Sequence, residues 1–295
     1  HVGLAGKRVL VLERNDRLGK KLRITGKGRC NVTNCCAVEE VLQNVPRNGR
    51  FLYSAVTQYP PARVMEFLEA EGCPLKTERG NRVFPVSDRS ASVQEALERA
   101  MYRAGVTVRQ GRVTEICTKE GKISGVTAGG QTYGARQVIL ATGGCSYPAT
   151  GSTGDGYRLA ARLGHTVAPP TGSLVPLEVP GDDCPAMQGL SLRNVAVRLL
   201  HEKGKCLYRD FGELLFTHFG ISGPTVLSAS AHMGKPGRYC LAIDLKPALE
   251  EGKLEARVLR DLEQYKNRSM GNALTALLPR SMIPVILRRT HIPED

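Results

Sequence analysis

Three glycine-rich segments contain the residue types best suited to holding a phosphate-bearing ligand. They cover residues 25–34 (TGKGRCNVTN), 141–144 (ATGG) and 150–156 (TGSTGDG). Glycine lets the backbone approach a ligand closely and adopt positive φ, while Ser, Thr and Asn supply hydrogen bonds. Taken singly, each segment is more often an ordinary turn. Three such segments near predicted strand ends, together with Glu13, indicate a large phosphate-bearing cofactor.

Glu13 closes the run KRVLVLE of residues 7–13, whose β-branched and Leu content predicts a buried parallel strand. Residues 2–6 are typical of the last turn of a helix closed by Gly6. In a dinucleotide-binding βαβ unit, an acid at this strand end accepts hydrogen bonds from a ribose. We therefore expect a first strand with a G-x-G-x-x-G turn to precede this chain. No G-x-x-x-x-G-K-[ST] run occurs, which disfavours a mononucleotide P-loop.

The elements that would position these segments follow from periodicity. Apolar spacing predicts helices over 61–72, 90–105, with Ser90 or Ser92 as a cap, and 155–163. Residues 106–109, 113–117 and 123–127 predict a small β-meander, and residues 136–141 (RQVILA) predict another buried strand that leads into the second glycine segment.

After Thr171 the sequence pattern changes to short segments of strand-forming residues separated by Pro and Gly. These segments cover 173–179, 190–200, 207–216 and 239–245. Helical spacing returns at 253–266 and 272–278. The sequence therefore predicts two domains, 1–171 for the cofactor and 172–295 as a β-rich domain with C-terminal helices.

Composition narrows the class of protein. No apolar run is long enough to span a bilayer, and nine cysteines without a CxxC pair suggest reduced thiols, so we expect a cytoplasmic protein without a membrane partner. The isolated histidines form no H-E-x-x-H, so we expect no metal. The net charge of +13 raises the question of a nucleic acid partner. The basic residues are spread along the chain and there is no Trp, so nucleic acid binding is disfavoured.

Four longer runs carry a resemblance to a known family. They are VLVLERNDRLGKKLRITGKGRCNVTN, KTERGNRVFPVSDRS, ILATGGCSYPATGSTGDGY and ELLFTHFGISGP. These runs resemble the BaiN-like (YhiN-like) FAD flavoproteins, also labelled the aminoacetone oxidase family. The resemblance implies an α/β fold, with a Rossmann-like FAD-binding domain of the two-dinucleotide-binding-domain type and an inserted β-rich, barrel-like domain plus helices. The family pattern also has an N-terminal G-x-G-x-x-G strand and a C-terminal glycine-rich strand and helix, which we expect to lie outside this chain.

The same resemblance assigns the cofactor-binding residues. It implies that Glu13, Arg14 and Lys21 lie at the adenosine end of FAD. The loop of residues 151–156 resembles the G-x-T-G-D-G of fumarate-reductase-like flavoproteins, and we expect Asp155 to cap the following helix rather than act in acid–base chemistry. The remaining expected contacts are Gly28, Arg29, Cys30, Asn31 and Thr33 along the pyrophosphate and isoalloxazine, Thr142, Gly143 and Gly144 after a strand, and Gly151, Ser152, Thr153 and Gly154.

The resemblance implies an FAD-dependent oxidoreductase that is reduced by NAD(P)H and passes a hydride to a small organic acceptor, such as a conjugated, steroid-like enone. A hydride delivered to one alkene carbon needs a proton delivered to the other. The candidate proton donors are His218, Arg82, Tyr147 and Cys30. For His218 the role of a hydrogen-bonded structural histidine is slightly favoured over catalysis, and a lone buried cysteine such as Cys30 is commonly inert packing.

Three alternatives stay open. One is a flavin amine oxidase that uses oxygen. A second is a nucleic-acid-binding flavoprotein of the tRNA-modification type, which the net charge of +13 would favour because nucleic acids are polyanions. A third is an interaction protein that has kept the fold without its cofactor. Substrate identity, NADH against NADPH, and oligomeric state also stay open.

Overall fold

The computed structural model describes residues 1–234 and 237–293 of the 295-residue chain. The chain divides into two compact units, His1–Pro170 and Thr171–Asp295.

The first unit contains a parallel pair of strands that carries Glu13 at its end. Strand β1 (Leu10–Glu13) pairs with β5 (Thr107–Gln110) in a register that runs from Leu10 opposite Thr107 to Glu13 opposite Gln110. Because parallel strands end at the same edge, the chain leaves both strands on one side, where ligands of open α/β sheets bind. Residues 107–110 therefore belong to this pair, whereas the sequence pattern had placed 106–109 in the meander.

The other elements of the first unit pack around small apolar clusters. Their bounds are α1 Val38–Gln43, α2 Gly49–Gln58, α3 Pro61–Ala70, α4 Ser90–Arg103, α5 Asp155–Arg162, β2 Thr33–Asn34, β3 Leu75–Glu78, β4 Arg82–Pro85, β6 Val113–Lys119, β7 Lys122–Ala128 and β8 Gln131–Gly134. The sheet β2-β4-β3 packs with helices α3 and α4 around Cys30, Leu68, Cys73, Val93 and Ala96. The meander β6-β7-β8 packs with α5 around Ile116, Val126 and Leu159.

The strand predicted over 136–141 is wrong for this structure. Residues 136–141 pair with no strand among the described residues, and Ile139 is 77% exposed. An apolar β-branched run becomes a strand only when a neighbouring strand takes up its backbone hydrogen bonds.

The predicted serine cap of α4 is also wrong. Arg89 precedes the helix in an extended conformation, and no side chain caps it. The Ser90 hydroxyl donates instead to the Arg23 carbonyl at 3.3 Å, and the Ser92 hydroxyl pairs with that of Ser87 at 2.8 Å. Both serine hydroxyls therefore bond to residues outside the helix and do not cap it.

The second unit is built on a five-stranded antiparallel sheet in the order β13-β10-β11-β12-β9. Alternate residues of the long strand β10, such as Val195, Val197 and Leu199, are almost fully buried, as the two-residue period of a one-sided sheet requires. The bounds are β9 Leu177–Glu178, β10 Ser191–His201, β11 Cys206–Thr217, β12 Gly220–Ser222, β13 Tyr239–Asp244, α6 Asp183–Ala186, α7 Pro224–Ala231, α8 Glu251–Gln264, α9 Met270–Ala273 and α10 Ile283–Thr290.

Candidate functional site

Glu13 is held in a defined orientation at the end of β1. Its Oε1 accepts hydrogen bonds from the backbone N–H of Asn15 at 2.8 Å and from the side-chain amide of Asn15 at 2.9 Å. The same amide also donates to the Thr150 carbonyl at 3.1 Å. Among the described residues nothing donates to Oε2 of Glu13. One carboxylate oxygen therefore fixes the side chain, and the other can accept a hydroxyl.

Two basic residues tie the segment after β1 to the loop of residues 150–156. Arg14 Nη1 donates to Thr153 Oγ1 at 2.7 Å and to Asp155 Oδ2 at 3.1 Å. Lys21 Nζ donates to the carbonyl and hydroxyl of Ser146, at 2.9 and 2.8 Å, and to Ser152 Oγ at 3.2 Å. The segments at Glu13, at Ser146 and at 150–156 are thus brought together by direct contacts.

The two glycine segments in this region pack against each other. The Gly154 amide donates to the Gly144 carbonyl at 3.1 Å. Gly143 has φ +73°, and a Cβ atom built there would lie 2.8 Å from Ser152 Oγ. A side chain at position 143 would therefore meet both backbone strain and a clash.

Asp155 is the charged centre of this region, and its expected role as a helix cap is wrong. Gly154 precedes α5, and no side chain caps the helix. The Asp155 side chain is 11% exposed. Its carboxylate accepts hydrogen bonds from Arg14, from Arg112 Nε and Nη2 at 3.0 Å each, and from Arg158. Sequence reasoning missed both Arg112 and Arg158. The i,i+3 spacing on α5 could have suggested Arg158, but Arg112 is brought close only by the fold.

Residues 28–33 make their polar contacts elsewhere in the first unit. Arg29 Nη1 donates to Glu78 at 2.9 Å and to Asp88 at 3.0 Å, and its guanidinium lies 3.9 Å from the centre of the Phe84 ring. The hydrogen bond from Arg29 lowers the pKa of Glu78. The pKa of Asp88 is lowered mainly by a hydrogen bond from Lys76, and to a smaller extent by the one from Arg29. Two carboxylates therefore already balance the charge of Arg29.

Cys30 and its neighbours belong to the packing around β4. Cys30 is 4% exposed with φ +62°, and burial raises the pKa of its thiol against a smaller opposing effect of a hydrogen bond with Thr25. The thiol is therefore neutral near pH 7, which disfavours a reactive thiolate. Thr33 pairs with Val83 across the β2–β4 ladder, and Gly28 adopts φ +86°. The Asn31 side-chain amide, oriented with its nitrogen toward two backbone carbonyls, donates to those of Thr33 at 3.1 Å and Val83 at 3.2 Å.

The four candidate proton donors lie in different surroundings. Arg82 on β4 donates to the Arg79 carbonyl at 3.2 Å. Tyr147 is 68% exposed, adopts φ +51°, and directly follows Ser146, which accepts from Lys21. His218 is exposed in the second unit, edge-on to Phe219 with ring centres 5.0 Å apart. Of these, Tyr147 adjoins the contacts made by Lys21.

The chemistry of the donors and acceptors around Glu13 fits the adenosine end of a dinucleotide. Glu13, one of whose carboxylate oxygens has no donor among the described residues, ends a parallel strand. The glycine segments 143–144 and 151–154 lie beside it. The buried Asp155 accepts hydrogen bonds from arginines and so restrains the loop of residues 151–154. The residues that meet here are Glu13, Arg14, Lys21, Gly143, Gly144, Ser152, Thr153, Gly154 and Asp155.

Comparison with known proteins gives the family. A family model described as the HI0933-like protein Rossmann domain matches residues 1–226, and one described as the HI0933-like protein barrel and H2TH domain matches residues 171–295. The chain belongs to the HI0933-like family. The resemblance to BaiN-like flavoproteins and the fold class of a Rossmann domain with an inserted barrel domain are thereby confirmed. The protein is an enzyme of the flavoprotein oxidoreductase type, and its Rossmann domain is of the kind that binds a dinucleotide.

Several relatives have curated names. The chain is 32% identical to a 3-dehydro-bile acid delta(4,6)-reductase of Clostridium scindens, over 97% of this chain and 70% of that protein. It is 28% identical to a ribosomal RNA dihydrouridine synthase of Escherichia coli, over 99% of this chain and 70% of that protein. A ribosomal RNA dihydrouridine synthase of Haemophilus influenzae is 27% identical, over 98% and 70%.

A solved oxidoreductase from Methanosarcina mazei is 16% identical, with a TM-score of 0.21. The match covers 63% of this chain and 40% of that one. A likeness at this level carries no argument about fold or function.

A search for membrane-spanning segments in the described part of the chain gave none, because no helix there is both long and apolar enough to cross a bilayer.

Proposed function

We propose that the protein binds FAD, accepts electrons from NAD(P)H, and reduces a conjugated carbon–carbon double bond of an organic acceptor. The observation that carries this proposal is the convergence of Glu13, Lys21 and the glycine segments 143–144 and 151–154 through direct hydrogen bonds. When bound, FAD supplies the capacity to take a hydride from a nicotinamide and pass it to carbon.

The names of the relatives support the type of acceptor. A delta(4,6)-reductase and a dihydrouridine synthase are both named for adding hydrogen across a double bond. The substrates in those names differ greatly in size, whereas the bond that is reduced is of one kind. This agreement favours double-bond reduction over amine oxidation.

The chain's own residues have two tasks in this proposal. The open Oε2 of Glu13 accepts hydrogen bonds from the ribose hydroxyls, and the backbone at Gly143 and Gly144 approaches the cofactor closely because no side chain intervenes. Lys21 and Asp155 hold the surrounding loops rather than react, because their polar groups are taken up by protein partners.

Proton delivery is the second task, and we assign it to the Tyr147 hydroxyl. Reduction of the double bond consumes one hydride and one proton, and NAD(P)H leaves as NAD(P)⁺. Tyr147 is exposed and lies in the segment that joins the glycine segments 143–144 and 151–154. Cys30 is buried and Arg82 is a cation that seldom releases its proton, so both are weaker candidates. His218 of the second unit is kept as the competing donor.

The experiment follows the flavin colour under anaerobic conditions. We expect NAD(P)H to bleach the flavin of the full-length protein, and a steroid-like dienone to restore the colour rapidly. Tyr147→Phe should slow reoxidation by the enone about 100-fold while leaving reduction by NAD(P)H unchanged, and His218→Gln is the matched comparison. Bleaching of the flavin by an amine, with rapid reoxidation by oxygen and none by the enone, would instead establish the amine-oxidase alternative.

A second candidate acceptor is a uridine in RNA. Two relatives are named ribosomal RNA dihydrouridine synthases, and the net charge of +13 suits a polyanionic substrate. In the same anaerobic assay, an unmodified ribosomal RNA transcript replaces the enone. Rapid reoxidation, with two hydrogens added to a uridine by mass spectrometry, would establish this candidate. No reoxidation by RNA at low salt would exclude it.

A further inference from the structure

A small cavity in the first unit has three arginines among its seven lining residues. Its volume is about 220 Å³, and its wall is formed by Arg112, Val113, Thr114, Asp155, Arg158, Leu159 and Arg162. Pockets that hold drug-sized ligands are larger, at roughly 300–1,000 Å³. The cavity therefore suits a single small charged group rather than a whole dinucleotide.

The charges around the cavity do not balance. The Asp155 carboxylate accepts from Arg112 and Arg158 in the cavity and also from Arg14. One negative charge thus faces three positive charges. Arg162 adds a fourth, because its Nη1 donates to the Thr114 carbonyl at 3.0 Å and it makes no ion pair within the described residues. An anion entering the cavity would meet a surplus of positive charge.

The arginines are also held in place by their partners. Asp155 binds Arg112 through Nε and Nη2, both at 3.0 Å, which fixes the plane of that guanidinium. The side chains of Arg112 and Arg158 nevertheless remain 54% and 57% exposed, so their other N–H groups face solvent. Guanidinium groups of fixed orientation with spare donors match the oxygens of a phosphate.

We propose that this cavity, which shares Asp155 with the region around Glu13, is a phosphate-binding site. The phosphate belongs either to a small phosphorylated molecule or to the backbone of RNA. Binding alone tests the proposal, so its outcome does not depend on which double bond the enzyme reduces.

The test compares Arg162→Gln with Arg193→Gln. Arg162 makes its one described hydrogen bond to a carbonyl, so its loss leaves the Asp155 network intact. Arg193 lies in the second unit with 78% of its side chain exposed, and its substitution removes the same charge. Inorganic phosphate is titrated by calorimetry, and a labelled RNA oligonucleotide by fluorescence anisotropy over a range of salt. Arg158→Gln repeats the comparison from a second wall of the cavity.

Three outcomes are distinguished. A loss of phosphate affinity of about tenfold in Arg162→Gln and in Arg158→Gln, with Arg193→Gln unchanged, supports the site and a small phosphorylated ligand. Unchanged phosphate binding, with a log–log salt slope for RNA whose magnitude falls by about 0.7 in the two cavity variants only, supports the site with RNA as the ligand. If both cavity variants match Arg193→Gln in both titrations, the proposal is overturned.

Discussion

At position 155 a single buried carboxylate holds arginines from three parts of the first unit. Arg14 follows β1, Arg112 precedes β6, and Arg158 lies on α5. An aspartate at the start of a helix is usually explained by capping. Here its environment gives it a different role, because the surrounding cations stabilise the charged form more than a local N–H would.

Asp155→Asn should therefore release the Arg14 and Arg112 anchors together. We expect the free energy of unfolding of the first unit to fall by about 2–3 kcal/mol, and FAD affinity to fall about tenfold because the loop of residues 151–154 loses its support. Urea unfolding and FAD titration measure the two effects.

Asp183→Asn is the control for this prediction, since Asp183 binds Arg288 and Arg289 in the second unit. It should lower stability without changing FAD affinity. Equal FAD affinity in Asp155→Asn and the unsubstituted protein would contradict the role given to Asp155.

Arg29 makes the first unit sensitive to acid. Its contacts help to lower the pKa values of Glu78 and Asp88 below their ordinary 4.5 and 3.8. A lowered folded-state pKa gives stability that is complete above the ordinary value and lost as the pH falls through the folded value. Unfolding by urea between about pH 6 and pH 2 should therefore show stability falling below about pH 4.5.

Arg29→Gln should flatten this dependence, because the two carboxylates then titrate closer to their ordinary pKa values. Arg63→Gln, which removes an exposed cation paired with Glu66, is the matched control. An identical acid profile in the Arg29→Gln and unsubstituted proteins would show that the pair with Glu78 and Asp88 does not stabilise the fold.

At the scale of elements, periodicity predicted the pieces whose partners lie nearby in sequence. Helices over 61–72 and 90–105 and most of the β-rich second half match α3, α4, β10, β11 and β13 within a few residues. Pairing between distant strands was beyond a local pattern, so β5 was assigned to the meander although it pairs with β1. The three-residue strand β12 was missed because it gives no usable period, and α7 because its mostly small residues (PTVLSASA) mark no apolar face.

Residues 136–141 give the clearest prediction at this scale. Their apolar side chains, with Ile139 77% exposed, lack a strand partner in the described residues. The amides of 138–141 should therefore exchange about 100-fold faster than those of β5, whose residues lie in a ladder with β1. Hydrogen exchange followed by mass spectrometry measures both segments. Equal protection of the two segments would contradict the open conformation of 138–141.

For the whole molecule, the family, the fold class and the enzyme type could be predicted because four longer runs of the sequence resemble a known family. Part of the candidate site could not. The 25–34 segment was grouped with the other glycine segments, yet Arg29 and Cys30 make their contacts around β4. Arg112, by contrast, gave no local signal and was found only through its contact with Asp155.

The central claim is that Glu13 and the glycine segments beside it bind one dinucleotide. Titration of the full-length protein with FAD, followed by flavin fluorescence, tests it most directly. We predict saturable binding that weakens at least about tenfold in Glu13→Gln, through loss of charge-assisted hydrogen bonds to the ribose. Glu115→Gln, an exposed position on β6, should bind FAD like the unsubstituted protein. A protein that binds no FAD, or that binds it equally well with Glu13→Gln, would contradict the account.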